Sequence, residues 1–214
     1  MNINDAIAFT KYVSMEDWKQ FRYDIDHHSV MKELVQFPME TWPRYNPRKP
    51  IERYCLDLTC VPGGNENVSS LKEYNDASGK KYQNHDFAQT TEIYESLPSI
   101  QRVLEPFRPW LGRTHIIRLD SGGFFPPHYD TVIADDSVYD VRMVACINNI
   151  SKNTFKWLHN DQVMPLSNGQ IWLANTGQPH SVFSFVDNAI IMVANLRFDK
   201  NLLDEFLNNH YYYR

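Results

Sequence analysis

Residues 113–147, RTHIIRLDSGGFFPPHYDTVIADDSVYDVRMVACI, hold β-like runs broken by the Gly122-Gly123 turn and by a polar stretch. In the last run Val141, Met143, Ala145 and Ile147 fall on one face, and Arg142, Val144 and Cys146 fall on the other. That is the period of two expected of a strand. Runs of the same texture follow: NTFKWL (153–158), QIWLAN (170–175), HSVFSF (180–185) and AIIMVANLRF (189–198). Short strands at this spacing, separated by turn residues, predict a mainly β fold with flanking helices, closed as a sandwich or barrel. A closing helix over Asp199–Asn208 precedes the aromatic tail Tyr211–Tyr213.

Upstream the texture is mixed. Ser14, followed by Glu16 and Asp17, reads as a helix start continued by Met15, Trp18, Phe21 and Arg22. Val30, Met31, Leu34 and Val35 mark a second helix from about His27 to Phe37, ended by Pro38. Prolines 43, 47 and 50 make an irregular segment before a β-like run from Arg53 to Val61. The polar stretch Gly63–Asn84 reads as a long loop. Glu92–Trp110 reads as helical, interrupted at Pro98 and terminated by Pro106 and Pro109. No internal repeat is visible, so the expected organisation is one domain over 1–214: an N-terminal helical/β elaboration (1–110), a β core (111–198) and a C-terminal helix and tail (199–214).

Composition narrows the function classes. With 43% hydrophobic and 14% aromatic residues the chain forms a core, which excludes a disordered reading. The net charge is −5 and the basic residues are scattered, so neither a nucleic-acid footprint nor an anionic-lipid patch is expected. Three cysteines, Cys55, Cys60 and Cys146, are too few for a disulfide framework and fit a reducing compartment. The N-terminus lacks the basic start of a signal peptide, and no apolar run has the roughly 18 residues of a membrane span. The expected localisation is cytoplasmic.

Two His-x-Asp triplets occur, His128-Tyr129-Asp130 and His159-Asn160-Asp161. Residues i and i+2 of a strand project to the same face, so one strand end can present an imidazole and a carboxylate to one ion. The first triplet has suitable flanks: a β-like run, the Gly-Gly turn, and Pro126-Pro127 stiffening its entry. His180 then opens a later β-like run. Two histidines and one carboxylate form the facial triad that holds Fe(II) with positions left open. The second triplet sits at Asn160-Asp161, between two apolar runs, and reads as a hairpin turn with His159 and Asp161 at its tip. His27, His28, His85 and His115 have no partner at ligand spacing and read as polar or partly buried histidines.

The segments RLDSGGFFPPHYD, DVRMVACINN, NGQIWLAN and QPHSVFS, in that order, resemble the double-stranded β-helix (jelly-roll, cupin-like) core of the 2-oxoglutarate- and Fe(II)-dependent dioxygenases. The resemblance spans Arg113–Phe198 and is nearest the aspartyl/asparaginyl β-hydroxylase and proline hydroxylase branch; the first 110 residues contribute nothing to it. It implies that His128, Asp130 and His180 bind Fe(II). It also implies oxidative decarboxylation of 2-oxoglutarate with O₂, giving succinate and CO₂, coupled to hydroxylation of an amino acid or peptidyl side chain.

One position departs from that pattern. The branch places an arginine about ten residues after the distal histidine to clamp the far carboxylate of 2-oxoglutarate, and here that position is Ile190. Arg197 differs from it in strand parity and is expected to face the other way. Arg142, Arg118 and Lys156 are the candidate replacements, with Arg142 leading. The competing readings of Arg142 and Arg118 are structural salt bridges. Thr131–Tyr139 reads as a substrate-facing loop or a plain connector. The alternatives to an oxygenase are a cupin-like metal-binding barrel without turnover and a metal-dependent isomerase. Sequence sets no oligomeric state.

Overall fold

A computed structural model describes residues 18–64, 70–130, 133–135 and 138–209. Its strands are β1 (Trp18–Gln20), β2 (Arg53–Asp57), β3 (Thr59–Cys60), β4 (Gln89–Thr90), β5 (Leu111–Leu119), β6 (Phe124–His128), β7 (Ile133–Asp135), β8 (Val138–Asn148), β9 (Phe155–His159), β10 (Gln162–Val163), β11 (Ile171–Ala174), β12 (His180–Ser184) and β13 (Ala189–Phe198). The α-helices are α1 (His27–Leu34), α2 (Leu71–Ser78), α3 (Glu92–Glu95), α4 (Pro98–Leu104) and α5 (Lys200–Asn209). A major antiparallel sheet runs β1-β11-β8-β13-β5-β2, with β7 paired to β8, and faces a minor sheet β10-β9-β12-β6. β3 and β4 form a separate two-stranded ribbon. This is the double-stranded β-helix that the resemblance implies, and the mainly β architecture that the strand spacing predicts.

The alternation along β8 sorts its residues into two cores. Met143, Ala145 and Ile147 pack beneath the helices with Val30, Leu34, Ile100, Leu104 and Phe107. Val144 and Cys146 pack between the sheets with Trp157, Trp172, Val182 and Ile191. Every residue of β5 is buried, because one face meets the helices and the other the minor sheet. The helices start on local caps. Asp26 accepts from the Ser29 amide at 3.1 Å, and Thr91 accepts from the Tyr94 amide at 3.2 Å. Pro98 takes the first position of α4, where its missing N–H costs nothing.

Several expectations need correction. Trp18–Gln20 is strand, not helix, because it pairs with the exposed edge of β11 (Trp18↔Ala174); the predicted start at Ser14 lies outside the described residues. The polar stretch after Gly63 contains α2, capped by Ser70 and ended by Gly79 in the left-handed region (φ 66°). Its charged residues obscured the helical period. The strand that carries the first triplet's histidine, β6, ends at His128. β6 is an edge strand paired only with β12, so Pro126 and Pro127 sit in it without breaking a central ladder. The extra residue they bring is taken up by a bulge between the pairs His180↔His128 and Val182↔Phe125. His159 is fully buried at the end of β9, not at a loop tip. Its Nε2 lies 2.8 Å from the Asn175 carbonyl, and Trp18 packs edge-on at 5.7 Å. The three cysteines are buried and form no disulfide. Among the described residues no helix is long and apolar enough to cross a membrane.

The β5–β6 turn is fixed by close approach. A Cβ on Gly123 would collide with the Glu52 carbonyl oxygen and meet that of Asp120 at 2.8 Å. Gly123→Ala is therefore expected to cost about 1–3 kcal/mol in chemical denaturation. A variant as stable as the parent would contradict the close packing of this turn.

Candidate metal centre

β6 and β12 are neighbours in the minor sheet, and their pairing sets His128 opposite His180. Asp130 follows β6 by two residues and is held by its own amide, which donates to the Thr176 carbonyl at 2.8 Å. One donor atom from each of His128, Asp130 and His180 lies within 4.8 Å of the other two. Nε2 of His128 is 3.8 Å from Asp130 Oδ1, and Nε2 of His180 is 3.9 Å from Asp130 Oδ2. The structure thus brings together three residues separated by up to 52 positions, and leaves His159 and Asp161 out of the group.

Both imidazoles are oriented alike. His128 Nδ1 lies 2.7 Å from the Pro126 carbonyl and His180 Nδ1 lies 3.0 Å from the Gln178 carbonyl, each two residues back along the chain. A carbonyl only accepts, so each Nδ1 carries the proton and each Nε2 presents a lone pair toward Asp130. Burial lowers His180 to about 4, which keeps it neutral and ligand-competent at neutral pH. Burial alone would raise Asp130, but the Arg142 guanidinium, aided by His180 and a Thr176 hydrogen bond, holds it below the usual carboxylate range. Two imidazole nitrogens and one carboxylate on one side of a cavity are the donor set that suits a divalent first-row metal with open positions.

A cavity between the sheets opens onto this group. Its walls include Tyr45 and Phe125, Arg113, His115 and Ile117 from β5, Arg142 from β8, Trp157 from β9, Val182 from β12, and Ile191, Val193 and Asn195 from β13. Arg142 donates from Nε to Asp130 Oδ2 at 3.1 Å. Burial opposes its charge, but Asp130 and Asp140 more than offset that, so the guanidinium titrates above its ordinary range. Among the described residues, the buried atoms Arg142 Nη1, Trp157 Nε1 and Asn195 Oδ1, on residues of the wall, meet no hydrogen-bond partner. Unsatisfied polar atoms around one space mark a site shaped for a polar ligand.

The other sequence candidates lie elsewhere. Arg118 is outside the cavity wall. It pairs with Asp120 at 3.2 Å, donates to the Met39 carbonyl at 2.5 Å and stacks over Tyr54 at 4.1 Å, which is the salt-bridge role. Lys156 is on the outer face of the minor sheet and donates to the Lys152 carbonyl. Ile190 packs on the helix side of β13, while Ile191, Val193 and Asn195 face the cavity. The parity assumed for the expected arginine was therefore inverted; Arg197 shares the parity of Asn195 but is exposed past the end of the cavity. β7 pairs with β8, Ile133↔Tyr139, and Asp136 lies outside the described residues.

Two cavity residues were not singled out by sequence. Arg113 is 4% exposed and His115 is 2% exposed. His115 Nδ1 is 3.4 Å from Asp57 Oδ1 on the neighbouring β2, a neighbour brought by strand pairing. Burial, then Arg113 and Arg142, push His115 well below the ordinary histidine range. The available signal was the parity Arg113, His115, Ile117 along β5.

Solved structures share this fold. The collagen prolyl hydroxylase of Paramecium bursaria Chlorella virus-1, determined as a 2OG complex, aligns over 86% of this chain and 97% of its own, at 9% identity and a TM-score of 0.50. A Pseudomonas putida prolyl-4-hydroxylase aligns over 91% and 98%, at 16% identity and a TM-score of 0.48. HygX from Streptomyces hygroscopicus, solved with nickel and 2-oxoglutarate, aligns over 93% and 87%, at 9% identity and a TM-score of 0.49. No family model matches the chain, and no curated protein does.

Proposed function

We propose that the protein is an Fe(II)- and 2-oxoglutarate-dependent oxygenase that hydroxylates an amino acid or peptidyl side chain. The observation that carries this reading is the convergence of His128, Asp130 and His180, with both Nε2 atoms turned toward one carboxylate at the mouth of a cavity whose wall has unsatisfied polar atoms. The shared fold with a viral collagen prolyl hydroxylase solved with 2OG supports it as analogy. When bound, Fe(II) would supply the redox chemistry that couples oxidative decarboxylation of 2-oxoglutarate by O₂, giving succinate and CO₂, to insertion of the other oxygen atom into a C–H bond.

The chain's own residues do the rest. His128, Asp130 and His180 would hold the ion through three donor atoms, a set that leaves positions for a 2-oxo acid and O₂. Arg142 fixes the rotamer of Asp130 and keeps it ionised. Ile117, Val182, Ile191, Val193 and Trp157 line the adjoining space and exclude water from it. The carbonyls of Pro126 and Gln178 lock the imidazole tautomers, so metal binding needs no proton rearrangement at either ring.

The test is direct. Under anaerobic conditions, Fe(II) plus 2-oxoglutarate is expected to give the weak visible charge-transfer absorption of a chelated ferrous centre, and admission of O₂ is expected to yield succinate. Iron binding with neither signal would favour a cupin-like metal barrel without turnover.

A further inference from the structure

We infer that Arg113, on β5, binds the distal carboxylate of the 2-oxo diacid in the position that an arginine on β13 would otherwise fill. This inference rests on the oxygenase reading above and deepens it. A diacid chelated to the metal through its 2-oxo acid end carries its second carboxylate into the cavity, and a carboxylate buried without a cation or donors is prohibitively costly. The cavity wall limits the choice. β13 offers Ile191, Val193 and Asn195, β12 offers Val182, β9 offers Trp157 and β6 offers Phe125; none of these is cationic. Among the described residues, the guanidiniums of the wall come from β5 and β8, as Arg113 and Arg142.

Those two arginines stand on a common rung. Asn195 pairs with Arg142 across β13 and β8, and its side-chain Nδ2 donates to the Arg113 carbonyl across β13 and β5. Strands about 4.8 Å apart place the two arginine backbones on either side of Asn195, a span that a five-carbon diacid can bridge from the metal end. Arg142 stands at the metal end, where its Nε is committed to Asp130 at 3.1 Å. Arg113 stands two strands away from Arg142 in the sheet, 4% exposed, with its guanidinium 5.8 Å from the Tyr45 ring, another wall residue. Asn195 Oδ1 and Trp157 Nε1, on residues 2% and 4% exposed, are unsatisfied in the same space.

The experiment compares two ligands that differ only at the inferred contact. Anaerobic Fe(II)-loaded protein is titrated with 2-oxoglutarate and with 2-oxopentanoate, which lacks the distal carboxylate, and binding is followed by the charge-transfer absorption and by calorimetry. Wild type is expected to prefer the diacid. Arg113→Gln is expected to weaken diacid binding by about 10- to 100-fold, the effect of losing a charge-assisted contact. It should leave the monoacid and Fe(II) affinities near those of wild type. Arg113→Lys keeps the charge and much of the volume, so it guards against a folding defect; it is expected to weaken the diacid severalfold and selectively, because the fork geometry is lost.

An Arg113→Gln or Arg113→Lys protein that keeps the full preference for the diacid, or loses both ligands equally, overturns the inference. So does disappearance of the preference in an Arg142→Gln protein that still binds Fe(II) and 2-oxopentanoate with Arg113 intact. Wild-type protein that holds Fe(II) but binds neither 2-oxo acid overturns the oxygenase reading together with this inference, which separates the two failures.

Discussion

His128→Ala is expected to abolish stoichiometric Fe(II) binding and, with it, 2-oxoglutarate-dependent succinate formation. Removing a group that only hydrogen-bonds to a metal ligand already costs roughly 10- to 100-fold in affinity, so deleting a ligand of a three-residue site must cost at least that. His128 suits this test because its side chain is 36% exposed. Its loss leaves little cavity and should hardly alter the thermal melt. His180 would be a poorer choice: it is 5% exposed and stacks on Trp157 at 5.8 Å, so truncating it would mix ligand loss with core damage. Metal content after anaerobic loading and desalting, read beside a thermal melt, decides the matter. Unchanged iron in a folded His128→Ala protein would refute the triad.

The second large effect concerns stability and is expected to leave the metal alone. Phe107 is fully buried, 6.1 Å from Phe21 and 5.4 Å from Phe206 between ring centroids, with Phe21 and Phe206 themselves 5.8 Å apart. These rings tie the segment after β1, the turn before β5 and helix α5 into one cluster on the helix side of the major sheet. Phe107→Ala should cost about 3–5 kcal/mol. At about 2–4 °C per kcal/mol for a chain of this size, the melting temperature should fall by roughly 6–20 °C. The triad lies across the sheet, so Fe(II) affinity measured well below the transition should be unchanged. A melting temperature within a degree or two of the parent would mean that the cluster does not join these elements.

The arithmetic of the site explains why the two variants separate. The first removes a group that points into a cavity and contributes little packing. The second removes packing and no ligand. Arg142 lies between these cases: its guanidinium is both a buried charge and the partner that keeps Asp130 ionised. Truncating it would leave a carboxylate in a part-buried site without its cation, and so would affect stability and metal binding together.

What the sequence determined by itself was whatever depends on strand periodicity and on residues close in the chain. The alternation in VRMVACI assigned Met143, Ala145 and Ile147 to one core and Val144 and Cys146 to the other, with Arg142 on the cavity side. The spacing of His128 and Asp130 put an imidazole and a carboxylate near one strand end, and a lone histidine opening a later strand supplied the third member. Pairing decided the rest. β5 is buried on both faces, so its composition could not tell which of Arg113, His115 and Ile117 or Thr114, Ile116 and Arg118 would face the cavity. Arg118 was singled out and Arg113 was not, because only the placement of β5 between β13 and β2 fixes that parity. Asp57 beneath His115, Asn195 between the two arginines and the helix-side position of Ile190 likewise follow from register, a long-range property set when distant strands bury their faces against each other.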